Sequence, residues 1–529
     1  MADSEIEDTT TVADIEASSV EQDIRDLAGG ALVVYLGKAA RISRGAFIWV
    51  ISLLCGLDVQ YLYSLAWAAV STANKVARFG LQRGIVRFVT GVRVNRHEIG
   101  GLEAHRPLAA GLIISLLASS MVAIAVFLGA DLIARIYERD IATAIRIMAF
   151  TAPFLSLSWV FTSAIRALRI MRYEVYVRSI AGPLFLFVGG TALGLAGLGL
   201  EAIAWVQLGM GVVNFLLAAF YFRMFFSVSI SLRAVTAGPP LRRLARFSAP
   251  VMGTDVLKSV LLSLDVFMIG HFLRDDALGG LYLLARRTAS AMLKAPQAFD
   301  AIFSSVASEL SHQNRVEDLG HRFIIISRWI LVINLPIFAC LLLVGRPLLE
   351  VIGAKYIGEI ALFELGLTVL FILCIGMMIQ GLFAISEPLL TMSGWPGISL
   401  FNNLVWLGVY FGLNVWLIPR HGIVGVALGA SFSMALVSLL RVVEIHRLRG
   451  VLPFRRSQLK PVIAGAIASI PAVAVRDPES GLLWELVLPP ATFLAVYVVG
   501  LRWLGLEEEE RALFAALRRR FRRRSAGNL

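Results

Sequence analysis

Long apolar runs separated by short polar segments make up most of the chain. Runs such as 108–130 and 323–344 approach the roughly 20 residues that an α-helix needs to cross a bilayer. The apolar residues are continuous rather than alternating, which is not typical of a transmembrane β-barrel. We therefore predict an all-α, polytopic membrane protein with about fourteen transmembrane helices, centred near residues 43, 69, 118, 155, 187, 212, 259, 292, 333, 373, 407, 433, 467 and 492.

Basic residues are distributed unevenly between alternate connections. Of the 49 lysines and arginines, 37 fall in the two termini and the even-numbered loops, and eight fall in the odd-numbered loops. Cytoplasmic loops carry an excess of Lys and Arg, so we expect a multi-pass protein of the cell inner (cytoplasmic) membrane with both termini cytoplasmic. The N-terminus lacks the basic start and cleavage site of a signal peptide, so we expect the first span to be retained.

The polar connection around Gly238-Pro239-Pro240 is typical of a linker. Faint repeats with the same orientation on both sides of it predict two pseudo-symmetric six-helix lobes, as in some secondary transporters. The acidic start predicts a disordered tail, and the basic end predicts an amphipathic tail on the inner leaflet. The predicted boundaries are 1–27 for the acidic tail, 28–225 for the N-lobe, 226–246 for the linker, 247–446 for the C-lobe, 447–506 for two further helices and 507–529 for the basic tail.

Composition and motifs exclude several classes of function. Hydrophobic residues make up 58% of the chain and charged residues 16%, against about 25% charged residues in ordinary soluble domains. No GxxxxGK[ST], HExxH or GxSxG sequence occurs, so we expect neither an enzyme nor a cofactor. Cys55, Cys340 and Cys374 are scattered without metal-ligand or disulfide spacing. Despite the net charge of +12, we expect no nucleic-acid partner.

Charged residues occur inside the seventh and eighth predicted spans, where each costs at least roughly 2.5 kcal/mol on insertion scales. Counting residues from the connecting loop places Asp265 at the depth of Arg286 and Arg287, and Lys258 at the depth of Lys294. Asp255 and Asp300 are the remaining acids of these spans, Arg44 lies inside the first span, and Glu364 lies in the tenth.

Two interpretations of these charges remain open. In the first, Asp265 with Arg287 and Asp255 with Lys258 are ion pairs that fix helix register. In the second, a positive inner wall binds an anionic substrate, because cations at one depth favour an anion between them. The predicted substrate-binding residues are Arg44, Lys258, Arg286, Arg287 and Lys294, and the predicted orienting or ion-coupling residues are Asp255, Asp265, Asp300 and Glu364.

Three passages carry recognisable motifs. Residues 264–273 read LDVFMIGHFL and are followed at 280–287 by GLYLLARR; residues 413–427 read LNVWLIPRHGIVGVA, and residues 79–88 read FGLQRGIVRF. Together they resemble the polysaccharide and lipid-linked oligosaccharide flippases of the multidrug/oligosaccharidyl-lipid/polysaccharide (MOP) exporter superfamily. Asp265, Tyr282, Arg287 and Asn414 match pattern positions of this family.

The resemblance implies two six-helix lobes around a central cavity, with two further helices at the C-terminal end. It also implies alternating access that moves a polyprenyl-pyrophosphate-linked glycan from the inner to the outer leaflet. The expected partners are this anionic lipid-linked glycan, membrane lipids, and glycan polymerase and chain-length regulator proteins. A multidrug antiporter of the same superfamily and an integral membrane glycan ligase or polymerase are the alternatives.

Overall fold

The computed structural model of the protein describes residues 42–92, 102–168, 170–236, 238–300, 303, 307, 313, 315–353, 360–453, 456–477 and 481–505. Within these residues every regular element is a helix, which confirms the predicted all-α class. The tails predicted at 1–27 and 507–529 lie outside the described residues.

The chain divides into two compact units, Met1–Gly280 and Leu281–Leu529. The helices of the first unit are α1 (Ile42–Leu54), α2 (Leu57–Ala77), α3 (Leu81–Val92), α4 (Leu102–Tyr137), α5 (Ala142–Ala149), α6 (Thr151–Ala167), α7 (Arg172–Leu195), α8 (Leu200–Phe225), α9 (Val228–Thr236) and α10 (Leu241–Phe272). Helix α11 (Asp276–Ala289) begins in the first unit and continues into the second.

The second unit continues from α11 through a 3-10 turn and a further series of helices. These elements are the turn Ser290–Leu293, α12 (Val316–Gly353), α13 (Ile360–Leu382), α14 (Ser386–Met392), α15 (Pro396–Arg449), a 3-10 turn at Arg456–Gln458, α16 (Leu459–Ala474) and α17 (Leu482–Trp503).

Many of these helices have the length and composition of membrane spans. Among the described residues eight qualify, namely His105–Tyr137, Ala142–Ala167, Arg172–Leu195, Leu200–Phe225, Glu317–Leu348, Glu364–Thr391, Gly397–Arg449 and Trp484–Trp503. Gly45–Leu54 and Leu459–Ala474 are shorter apolar helices. Large apolar side chains such as Leu128 and Ile470, 73% and 72% exposed, give these helices a surface suited to lipid. The polytopic architecture is confirmed, and the count of fourteen stays a prediction.

Helix α10 packs within the first unit, against α2, α3 and α4. At its far end the hydroxyl of the fully buried Tyr61, on α2, donates to the carbonyl of Val266 at 2.9 Å. Gly280, at the start of the GLYLLARR passage, lies against the Leu57 backbone so closely that a Cβ would collide with it. The glycine of that motif therefore permits close contact between α11 and the start of α2. The predicted lobe boundaries stay predictions.

The 54-residue helix α15 contains two of the predicted spans. They meet at Gly422, whose φ of 56° and ψ of −134° are not helical and favour glycine. A Cβ at Gly429 would collide with the side-chain oxygen of the buried Asn414. The Asn414 passage thus has a structural role, because its glycines place the break and let the two halves of α15 approach each other.

Helices α16 and α17 pack against each other and against α12. Ala464, Ala468 and Ala472 recur every four residues and form one small-residue face, which is fully buried. Phe493 and Tyr497 of α17 belong to the same apolar cluster. Because alanines allow close approach, the two aromatic rings fill the space between the helices and fix the two C-terminal helices within the second unit.

Candidate substrate-binding residues

Helix α10 carries two charged residues near its middle that have different surroundings. Asp255 is half-buried; its Oδ2 accepts a hydrogen bond from Gln82 Nε2 at 2.7 Å, and its Oδ1 lies 4.0 Å from Arg83 Nη2. Lys258 is exposed and has no ion pair with a carboxylate among the described residues. Asp255 therefore interacts with the start of α3 rather than with Lys258, the partner that the sequence offered for it.

Asp265 lies about two helical turns beyond Lys258 on α10 and is fully buried. Its Oδ1 accepts a hydrogen bond from the backbone N–H of Val266 at 3.0 Å. A polar contact between Ser259 Oγ and Thr72 Oγ1, at 3.2 Å, also joins this helix to α2. Asp265 is thus buried next to Val266, whose carbonyl contacts Tyr61 of α2. Its predicted pairing with Arg287 stays a prediction.

The basic residues of the eighth predicted span lie on two separate helical segments. Arg286 and Arg287 are half-buried at the end of α11, and Lys294 is exposed after the 3-10 turn Ser290–Leu293. Four residues at 3.0 rather than 3.6 per turn rotate Lys294 by roughly 80° from its position on a continuous α-helix. Arg287 and Lys294 therefore do not lie on the same face of one continuous α-helix.

Proline explains this break. Pro296 has no N–H to donate to the carbonyl of Met292, and its ring would crowd that carbonyl in a regular α-helix. The chain tightens into 3-10 geometry over the preceding residues. Asp300, the last acid of this span, is exposed.

The remaining predicted site residues lie elsewhere. The backbone of Arg44 belongs to α1, and its side chain lies outside the described residues. Glu364 is exposed near the start of α13, and its backbone carbonyl accepts a hydrogen bond from Thr368 Oγ1 at 2.9 Å. Their predicted roles stay predictions.

A group of arginines gathers around Trp159 of α6 in the first unit. We call Arg78, Trp159, Arg166, Glu174 and Arg178 the tryptophan cluster. The guanidinium carbon of Arg78 lies 4.7 Å from the centroid of the indole, and Arg178 also stacks on this ring. Arg178 Nη2 donates to Thr162 Oγ1 at 2.9 Å, and Arg166 Nη1 lies 3.4 Å from Glu174 Oε2.

A second group of charged residues lies in the second unit, where α14 meets α15. We call Glu387, Asn402, Asn403, Arg441 and Glu444 the arginine–glutamate cluster. Arg441 is only 7% exposed, and its Nη2 donates to Asn403 Oδ1 at 2.9 Å and to Glu387 Oε2 at 3.1 Å. Asn402 Nδ2 donates to Glu444 Oε2 at 2.6 Å. The cluster joins a short loop helix to both halves of α15.

Sequence reasoning treated the basic members of both clusters as loop residues. The structure places these arginines near helix ends, where each has specific partners. Counting Lys and Arg in loops predicts the membrane topology but not the contacts of the individual side chains. One signal was present in the second unit. Glu387 is an acid in a predicted cytoplasmic loop, 386–396, that has no Lys or Arg of its own, and such an acid favours a partner from another part of the chain.

The fold and part of the sequence match known proteins. A protein-family model described as "Polysaccharide biosynthesis protein" matches residues 105–360. The structure is similar to that of "Lipid II flippase MurJ, inward closed conformation", with a TM-score of 0.70, 12% identity, and coverage of 89% of this chain and 97% of that one. A search of curated protein sequences found no match.

A second similar structure is the inward-facing conformation of a multidrug resistance MATE family transporter of the MOP superfamily. The TM-score is 0.65 at 15% identity, and the match covers 78% of this chain and 94% of that one. At such identities the likeness establishes the fold. The resemblance to the MOP exporter superfamily is confirmed: the chain is a polytopic helical membrane protein with the fold of that superfamily.

Proposed function

We propose that the protein is a flippase for a polyprenyl-pyrophosphate-linked oligosaccharide or polysaccharide repeat unit. It moves this substrate from the inner to the outer leaflet of the cytoplasmic membrane for surface polysaccharide biosynthesis. Translocation occurs by alternating access through a cationic central cavity. The match to the polysaccharide biosynthesis family model over 105–360 and the fold shared with a protein named as a lipid II flippase both support this proposal.

The observation that carries the proposal is the isolation of Lys258. Lys258 lies in the seventh predicted span. A lysine within a span costs roughly 2.5–3.5 kcal/mol on insertion scales, so its presence there favours a functional contact. The nearest acid of the same helix, Asp255, already interacts with Gln82 and Arg83. An exposed ammonium group without a described carboxylate partner is suited to bind phosphate oxygens.

The same charges disfavour the alternative of a multidrug antiporter. Many drugs carried by such transporters are cations, and a cationic wall repels them. The similarity to a MATE transporter concerns the fold and leaves the substrate open. A glycan ligase or polymerase would differ from a flippase in making a covalent product, which gives a direct test.

The test is glycan export in cells that depend on this protein, together with leaflet exchange of the lipid-linked glycan in proteoliposomes. The variant Lys258→Gln should lower both rates by about tenfold, because a hydrogen bond to a charged group contributes about 1.5–3 kcal/mol. Lys258→Arg should retain much of the activity. Arg223→Gln, which removes an exposed charge at the end of α8, is the matched control.

Three results would overturn the proposal. Normal export by Lys258→Gln at equal abundance would remove the lysine from the mechanism. Efflux of cationic drugs without leaflet exchange of glycan would favour the antiporter. Formation of a longer glycan by the purified protein would favour the ligase or polymerase.

A further inference from the structure

An open pocket with strong positive charge lies between α3 and the first turns of α10. Its volume is about 510 Å³, and its lining consists of Arg87, Phe88, Arg242, Arg243, Arg246 and Phe247. We call it the arginine–phenylalanine pocket. The four arginines are exposed and the two phenylalanines are half-buried. All six residues belong to the first unit.

Close packing of two helices gives this pocket a firm frame. A Cβ on Gly84 would lie 2.5 Å from Ser248 Oγ and 2.8 Å from Leu244 Cδ1. Gly80, with φ of +64°, lies equally close to the backbone of α10. Because neither glycine can be enlarged without a shift, α3 and α10 pack closely at these positions. The residues that line the pocket lie within about one turn of these contacts.

Aromatic rings hold two of the guanidinium groups in place. The guanidinium carbon of Arg87 lies 4.6 Å from the centroid of the Phe247 ring, and that of Arg243 lies 5.4 Å from the Phe88 ring. The two rings meet edge to face at 5.9 Å. Cation–π contacts of this kind orient a guanidinium group but leave its N–H donors available.

The charge of the pocket is not balanced within the described part of the chain. No described carboxylate forms an ion pair with Arg87, Arg242, Arg243 or Arg246. Four like charges at one opening repel one another, and a ligand with several anionic oxygens would relieve that repulsion. The planar guanidinium group matches phosphate oxygens in pairs, so a phosphate is the ligand that fits best.

The position of the pocket indicates where the phosphate comes from. The arginines belong to the predicted cytoplasmic connections 75–106 and 223–246, which should lie beside the anionic inner leaflet. Helix α3 is amphipathic, with Leu81, Ile85 and Val89 buried in the apolar core. Leu241, directly before Arg242, is 38% exposed. Exposed apolar and basic side chains next to each other are typical of a protein surface that contacts a membrane.

We propose that the arginine–phenylalanine pocket binds the phosphate or pyrophosphate group of a lipid at the membrane surface. The site is separate from the residues proposed for translocation. A phospholipid ligand does not depend on what the protein transports, whereas a lipid-linked substrate as ligand rests on the proposed function. Its ligand is either a membrane phospholipid or the lipid-linked substrate before transport.

The test uses the full-length protein purified in an uncharged detergent. Short-chain phosphatidylglycerol, farnesyl pyrophosphate and inorganic pyrophosphate are titrated separately by calorimetry. The double variant Arg243→Gln/Arg246→Gln should bind the lipid ligands roughly 25-fold more weakly, since each basic residue near anionic lipid contributes a factor of about five. The control is Arg223→Gln/Arg233→Gln, which removes the same charge from exposed positions outside the pocket.

The lipid that loses affinity in the double variant identifies the source of the phosphate. A loss for phosphatidylglycerol supports a phospholipid site, and a loss for farnesyl pyrophosphate supports a substrate site. Equal binding by variant and control overturns the proposal, as does a loss confined to inorganic pyrophosphate. Thermal unfolding of each variant excludes a folding defect. Lys258→Gln tests the proposed function through export and leaflet exchange, and the arginine double variant tests this site through binding, so failure of this site and of the proposed function are distinguishable.

Discussion

The tryptophan cluster of the first unit and the arginine–glutamate cluster of the second unit carry opposite charge excesses, and different neutral groups stabilise them. The first places three arginines around one glutamate, Glu174, and uses the face of Trp159. The second places two glutamates around one arginine, Arg441, and uses the amides of Asn402 and Asn403. The charged members of both clusters lie in segments predicted to be cytoplasmic.

The difference shows two ways in which buried charge is stabilised. Amide groups give a carboxylate hydrogen bonds at fixed distances, so the second cluster depends on geometry. An aromatic face attracts cations without directional bonds, so the first cluster tolerates an excess of arginine. We therefore expect substitutions in the second cluster to have the larger effect on stability.

The largest effect should come from Arg441→Met. Arg441 is buried, and its removal leaves Glu387 without its guanidinium partner. The free energy of unfolding in detergent should fall by about 3 kcal/mol, the lower end of the range for breaking a buried pair, because the Glu387 side chain is 37% exposed. Chemical unfolding in mixed micelles measures this change.

A double variant sharpens this prediction. Arg441→Met combined with Glu387→Gln removes the uncompensated carboxylate and should be more stable than Arg441→Met alone. Equal stability of the single and double variants would show that Arg441 acts through packing rather than through its charge.

A smaller effect should follow Glu174→Gln in the tryptophan cluster. This change removes a carboxylate beside Arg166 and Arg178, so the remaining positive charges repel more strongly. The loss should be about 2 kcal/mol, since the Arg166 and Glu174 side chains, 27% and 21% exposed, are partly screened by solvent. The same unfolding measurement in micelles tests it.

The matched control for Glu174→Gln is the double variant Glu174→Gln/Arg166→Gln. Removing one arginine with the glutamate lowers the repulsion and should recover part of the lost stability. A double variant that is less stable than Glu174→Gln would mean that the Arg166 hydrogen bond to the Gln82 carbonyl, at 2.9 Å, matters more than charge balance.

The helical class of the fold and the break in α15 could be predicted from the sequence, because they depend on local properties. Continuous apolar runs predict helices, and Pro419 with Gly422 marks the break between two predicted spans. The 3-10 turn before Pro296 has a local cause as well, yet the residue count that placed Lys294 at the depth of Lys258 assumed a continuous α-helix. A proline inside a predicted span is the signal of such a turn, because its ring crowds the carbonyl of the residue four positions earlier.

The surroundings of charged residues could not be predicted in the same way. Asp255 interacts with Gln82, 173 positions earlier in the chain, and Arg441 interacts with Asn403, 38 positions earlier. Spacing along one helix reveals pairs at i, i+3 or i, i+4, whereas these contacts depend on which helices pack together. An ion pair between Asp255 and Lys258 was one interpretation based on their i, i+3 spacing. In the structure Asp255 interacts instead with Gln82 and Arg83 of α3.

The smallest effect should come from Trp159→Phe. Phenylalanine keeps an apolar ring at this position, but its weaker quadrupole attracts Arg78 and Arg178 less than indole does. We expect a loss of about 1 kcal/mol in the free energy of unfolding, within the range for cation–π contacts. Trp205→Phe is the control, because Trp205 is 60% exposed on α8 of the same unit and should change little. If both variants lose the same stability, ring size explains the result, and the tryptophan cluster must be stabilised by Glu174 rather than by the aromatic face.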